Sequence, residues 1–277
     1  MAGPRTLFEV LTAAVADMSE HGFDSQQRVD YWVAEIRRAA EAQLTPLHDL
    51  DEQLRSALRA VYTRLVERGG LQRLHPGVAR FTLEKVRPAL RAELDRRILA
   101  SANLIKLNRA QAIEKTLQRF QGWSTSIPAG GSTQTDRVRE KQEIRKSLAQ
   151  LPFIERRVLV DQGHKLSSAV SAVLAHDGGA IAAIWHSHWR QAGYDYREDH
   201  KDRDDQVYLI RGSWAHQRGL VKSGKVGYTD QVTQPAEEVF CRCQYQYLYN
   251  LRDLPDDMVT ERGRRELAEV RARLGTA

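Results

Sequence analysis

Cysteine is scarce in this chain and long apolar runs are missing, and each shortage closes off a class of protein. Two cysteines occur in 277 residues, Cys241 and Cys243, with one residue between them. In an extended segment their Cα atoms lie near or beyond the upper limit for an unstrained disulfide. A disulfide-stapled fold is therefore not expected, and the pair reads as free thiols or metal ligands in a reducing compartment. The longest uninterrupted apolar stretch, Ala180 to Trp185, is far short of the roughly 20 residues of a membrane-spanning helix. No membrane partner is expected. Near the N-terminus Glu9 interrupts any apolar core of a secretory signal, so export is not expected either. A phosphate-loop near-match, Gly219 to Val226, has Val226 where the magnesium-holding Ser or Thr would stand. We read it as a basic surface loop.

What is present fits a folded, charged protein, with 42% hydrophobic and 28% charged residues. The net charge of +6 is unevenly placed, because residues 1–150 carry 24 Lys/Arg against 18 Asp/Glu while residues 151–277 carry 18 of each. Most of the excess lies between Arg80 and Arg119, where ten basic residues face four acidic ones. Arg87, Arg91, Arg96, Arg97, Lys106 and Arg109 are the candidate contacts to nucleic acid or an acidic partner. The competing reading is an Arg-rich helix facing solvent.

Helical spacing dominates the first half. Leu7, Leu11, Val15 and Met18 recur at threes and fours, and His21-Gly22 predicts a stop. Asp24 or Ser25 caps a second stripe through Val29, Trp32 and Ile36, which Pro46 breaks. A third runs from about Asp49 to Gly69-Gly70, and a long fourth follows Pro76-Gly77 with a kink at Pro88. The Gly, Ser and Thr content of 122–135 predicts a flexible linker. Two helices, separated at Pro152, are expected after it. Beyond Asp177-Gly178-Gly179 the period changes, and strands are expected over 180–189, 206–211 and 238–249. The expected organisation is a helical region over 1–121, the linker over 122–135, a β-containing domain over 136–255 and a helix over 256–277. The class is α+β, mainly helical in its first half.

The chemistry concentrates late in the chain. Six of the nine histidines lie between His164 and His216. Strand alternation puts Cys241 and Cys243 on one face, and His186 and His188 on one face of their own strand. With His200 from the segment between, these five make the inventory of a tetrahedral zinc site. Cys-x-Cys is tighter than the usual zinc spacing, and the alternative is two core cysteines beside hydrogen-bonded histidines. Asp195, Asp199 and His200 suggest a metal-dependent nuclease or hydrolase. Against that stands a salt-bridged turn, since Arg197, Lys201 and Arg203 are interleaved with the acids.

Taken in order, Trp185, Asp195-Tyr196-Arg197-Glu198-Asp199-His200, Gln234-Pro235 and Phe240-Cys241-Arg242-Cys243 resemble the phage head morphogenesis family, the Mu F-like minor head proteins. The similarity covers about residues 155–250 and includes Asp204-Asp205-Gln206-Val207, in place of that family's "dGqv" stretch. Two positions depart from its pattern: Asp205 stands where Gly is usual, and Phe240 where Asn precedes Cys-Arg-Cys. The resemblance implies a minor virion protein without enzymatic activity. It would be assembled in the host cytoplasm into the head, near the portal or the inner capsid surface. Portal and major capsid proteins, and packaged DNA, are the partners it implies.

Overall fold

The structure is a computed structural model that describes residues 5–275. Residues 1–4 and 276–277, the outer ends of the expected helical region and C-terminal helix, lie outside the described residues. The amphipathic stripes become helices. Helix α1 (Leu7–His21) starts in a capping box: the Thr6 hydroxyl accepts from the Glu9 N–H, and the Glu9 carboxylate accepts from the Thr6 N–H at 2.8 Å. Ser25 caps α2 (Gln26–Gln43). Next come α3 (Leu47–Tyr62), a π-helical turn at Thr63–Glu67, and the short α4 (Gly70–Leu74). Two long helices follow, α5 (Arg80–Ser124) and α6 (Arg137–Asp177).

The expected separation at Pro152 needs correcting, whereas Pro88 was expected within a single long helix and lies within one. Pro88 and Pro152 sit inside continuous helices, although a mid-helix proline costs about 3 kcal/mol. Burial on both sides offsets that cost. Val86 and Leu90 flank Pro88, Leu151 and Val158 flank Pro152, and none is more than 4% exposed. Each such side chain contributes roughly 1.5–3 kcal/mol when buried.

The chain forms two compact units, one of residues 1–54 and 100–158, the other of residues 55–99 and 159–277. The division therefore falls inside helices α3, α5 and α6 and not at 122–135. An amphipathic stripe shows that a helix buries one face but not which partner covers it.

In the first unit α1 and α2 pack with the second part of α5 and the start of α6 around Leu11, Met18, Ile36, Leu117, Phe120 and Ile144. Asp17 ties α1 to α2, accepting from Arg28 at 2.9 Å and from the Trp32 indole at 2.7 Å. Segment 122–135, expected to be flexible, is held against the end of α1. Ile127 is buried in the core, the Gly130 N–H donates to His21 O, and the Ser132 N–H to Ser19 O. Gly131 makes this approach feasible, since a Cβ there would lie 2.3 Å from Glu20 O. Polar composition marked a loop, but not the loop's own anchors.

The second unit holds the sheet. Strands β1 (Ala182–His186), β2 (Val207–Leu209) and β3 (Gln244–Leu248) are antiparallel in the order β2-β1-β3. Short helices α7 (Glu198–Asp202) and α8 (Trp214–Gln217) lie between strands, and α9 (Glu261–Gly275) follows. The register pairs Ala183 with both Tyr208 and Tyr247, and Trp185 with Tyr245. One sheet face is therefore aromatic. The other carries Ala182, Leu209 and Leu248 into a core with Leu220, Val221, Met258 and Val259. The strands are shorter than expected because side-chain bonds and left-handed turns, described below, end the pairing. Among the described residues no helix is long and apolar enough to cross a membrane. The 219–226 segment bridges Val221 to Val259 and opens no helix, unlike a phosphate loop.

The 122–135 anchor is testable at neighbouring glycines that both have positive φ, Gly130 at 90° and Gly131 at 84°. A Cβ on Gly130 meets nothing within 4 Å, so Gly130→Ala is expected to cost only the backbone penalty, about 1 kcal/mol. Gly131→Ala must also push the segment off α1 and is expected to cost at least about 1 kcal/mol more. Urea denaturation of the two variants measures the difference, and equal losses would contradict the anchoring role.

Candidate metal centre

Cys241, Cys243 and His200 converge on one point, and local bonds explain why. His200 lies on α7, a turn tightened by the Asp199–Arg203 pair at 2.7 Å and the Glu198–Lys201 pair at 3.2 Å. After α7, Asp205 adopts φ 60°, and its N–H donates to Trp185 O at 2.8 Å. The Trp185 N–H donates in turn to Gln206 O at 2.9 Å. That turn sets α7 over the aromatic face of the sheet. The cysteines arrive on a loop preceding β3 that contains two left-handed residues, Ala236 at φ 65° and Phe240 at φ 60°.

One face of α6 holds this loop. The Phe240 N–H donates to Asp161 at 2.8 Å, Ser168 donates to Pro235 O at 2.8 Å, and Lys165 donates to Glu237 O at 2.9 Å. These α6 residues recur at i, i+4 and i+7, so they share one side of the helix. Burial pushes the Asp161 carboxyl up, against the opposing pull of Lys165 and the Phe240 N–H.

The result is a buried cluster of three metal-ligating side chains. His200 Nδ1 lies 3.6 Å from Cys241 Sγ and 3.5 Å from Cys243 Sγ. All three residues are at most 3% exposed. On the far side of the ring, His200 Nε2 faces the Glu238 carboxylate at 3.3 Å, and Arg197 holds that carboxylate at 2.8 Å. The Trp185 ring meets the His200 ring edge-on at 5.3 Å and the Tyr245 ring at 5.5 Å. Cys241 is the first of the pair to lose its proton. The Cys243 thiol donates to it and the Ala236 N–H donates at 3.4 Å, which together bring it down to about 5 against the effect of burial. Cys243, left holding the shared proton, is pushed up. Two sulfurs and one imidazole in a dry pocket are donors suited to a borderline-soft cation. The group can therefore hold a metal.

The other expected ligands do not join it. His186 points to the opposite sheet face, because Trp185 and not His186 shares the face of Tyr245. Its ring lies 3.0 Å from Gln246 Oε1 and 3.4 Å from Asp205. His188 lies past the end of β1, in a turn fixed by Asp204, which accepts from the Ser187 N–H at 2.7 Å and the Trp189 indole at 2.8 Å. Burial works to raise the Asp204 carboxyl, but these two bonds outweigh it and hold it below the ordinary range. Asp195 is exposed and belongs to neither group of convergent ligands found among the described residues. Asp199 is engaged by Arg203 and stays 3.9 Å from His200 Nε2.

The candidate basic contacts also separate. Arg109 is buried, donating to Glu155 and to Thr45 O at 2.6 Å each, so it belongs to the interior and not to a nucleic-acid surface. Arg97 is partly buried, and burial disfavours its charge. Arg87, Arg91 and Arg96 pair with Glu84, Asp95 and Glu93 along α5. Lys106 is exposed. Sequence reading missed Glu238, Asp161 and Asp204. Asp204 stood among the five acids of residues 198–205, and no motif singled out Asp161 or Glu238.

A buried polar group backs the aromatic face. His75 is 1% exposed, stacked on Tyr247 at 5.6 Å, with Nε2 2.9 Å from the Ser171 hydroxyl and Nδ1 against the Tyr249 hydroxyl. Burial brings its imidazole down to about 4. The unfolded chain takes up this proton near pH 6.5. Stability from this group is therefore complete above about pH 6.5 and falls as pH drops toward 4. The expected loss is about 3 kcal/mol between pH 7 and pH 4. His75→Gln is expected to remove that part of the acid sensitivity in urea titrations, and an unchanged pH slope would contradict it.

Compared with protein-family models, with curated proteins and with solved structures, the chain matches none.

Proposed function

We propose that this chain is a phage minor head protein that acts in prohead assembly, with its second unit serving as a Mu F-like module. The observation that carries the reading is conformational. The two positions that depart from the family pattern, Asp205 and Phe240, both have φ 60°, and only one other non-glycine residue among those described has positive φ. That region favours Gly and Asn, the residues the resemblance implies there. The backbone at both positions thus suits the family's residue even where the side chain differs. Portal and major capsid proteins are the partners we propose, and the virion head is the location.

Within this reading the His200, Cys241 and Cys243 group is a structural zinc site. Tetrahedral zinc with bonds of about 2.3 Å to sulfur and about 2.0 Å to nitrogen sets those atoms about 3.5 Å apart. The separations of 3.6 and 3.5 Å already meet that demand. Glu238, on Nε2, is the carboxylate that commonly orients a zinc-bound histidine. His200 is buried, with Nδ1 turned to sulfur, which favours an architectural role over the nuclease reading. Packaged DNA is at most a neighbour of the exposed α5 cations.

Co-expression with the portal and major capsid proteins of the same phage tests the assignment. The full chain is expected to co-sediment with portal or proheads, and the Cys241→Ser/Cys243→Ser variant to do so several-fold less. Particles that never incorporate the wild-type chain would contradict the reading. The conformational argument has its own check at Asp205, whose side chain is exposed. Asp205→Gly is expected to leave the melting temperature unchanged or raised, whereas Asp205→Val is expected to cost about 1–2 kcal/mol. Equal tolerance of both would remove the argument.

A further inference from the structure

A tetrahedral shell needs four ligands, and the converging group supplies three. Zinc sites with three protein ligands leave the fourth position to water in an open cleft. Here the three ligands are at most 3% exposed. We propose that His188 completes the site, its imidazole turning onto the ion when the metal binds, to give a Cys2His2 centre. The inference rests on the zinc reading above and deepens it.

Three observations converge on His188. Its backbone N–H donates to Cys243 Sγ, so its main chain already stands against one ligand. Asp204 grips the turn on both sides of it, at Ser187 and at Trp189, so residue 188 is held beside the site. Its own partly buried ring makes no hydrogen bond or ion pair among the described residues, and His164 is a close neighbour. The anchored backbone and the unengaged imidazole leave a side chain with freedom to turn and no bond to lose.

The competitors are already committed elsewhere. His186 faces the opposite side of the sheet and meets Gln246 and Asp205. Glu238 sits on the Nε2 side of His200, away from the sulfurs, and is held by Arg197. Asp161 accepts from the Phe240 N–H, and Lys165 stands 3.8 Å away. Metal binding would then join β1's outgoing turn, α7 and the loop before β3 at one atom.

X-ray absorption on the zinc-loaded full-length chain tests this, because it counts sulfur ligands and coordinated imidazoles separately. The expected wild-type shell is two sulfurs and two imidazoles. His188→Ala is expected to keep two sulfurs with one imidazole and to bind zinc at least about tenfold more weakly. His188→Cys is expected to restore affinity with three sulfurs and one imidazole, which a merely structural role of this turn would not produce. A wild-type shell with one imidazole, or one unchanged in His188→Ala, overturns the proposal while leaving the zinc reading standing. A wild-type chain that binds no zinc overturns the zinc reading itself.

Discussion

The contact of one buried imidazole with two sulfurs is the constraint on which the second unit depends. His200 meets Cys241 and Cys243 through Nδ1 and Glu238 through Nε2. Those partners come from α7 and from the loop before β3, elements too short to hold themselves in place. The loop also carries left-handed Ala236 and Phe240, conformations that cost about 1–2 kcal/mol each in non-glycine residues. Bonds from Asp161, Lys165 and Ser168 offset part of that cost. A metal shared by the sulfurs and the imidazole would supply the rest and would exclude other arrangements of the loop.

Around that contact the aromatic face acts as packing material. Trp185, fully buried, meets both His200 and Tyr245, and Arg203 lies over its ring at 5.0 Å. Such a wall keeps water from the thiolate and lowers the local dielectric, which strengthens charge interactions inside. The same dryness keeps His75 neutral at the far end of the face. Thiolate and imidazole are thus sealed in by their neighbours, an arrangement suited to holding chain segments together.

Much of this was legible in the residues, and the failures share one cause. Helix stripes, the Ser25 cap, the Gly22 stop and the three strand regions follow from local pattern, and each appears in the structure. The thiol pair and His200 were identifiable because Cys and His are rare and cluster. Register was not. Whether His186 or Trp185 shares a face with the cysteines depends on which residue of β1 pairs with Tyr245, a long-range choice that alternation alone leaves open. The interior role of Arg109 depends in the same way on Glu155, 46 positions away. Pro152 looked like a break because local cost is visible in sequence, while the burial that outweighs it is not.

The central claim, that a metal held by His200, Cys241 and Cys243 closes the second unit, is tested most directly by amide hydrogen exchange of the full-length chain. Exchange would be followed with zinc bound and again after chelation. The expected result is a selective acceleration on metal removal in α7 and in residues 234–248, with the α1–α2 pair unchanged. Identical exchange in both states, or acceleration spread evenly over the chain, would contradict the account.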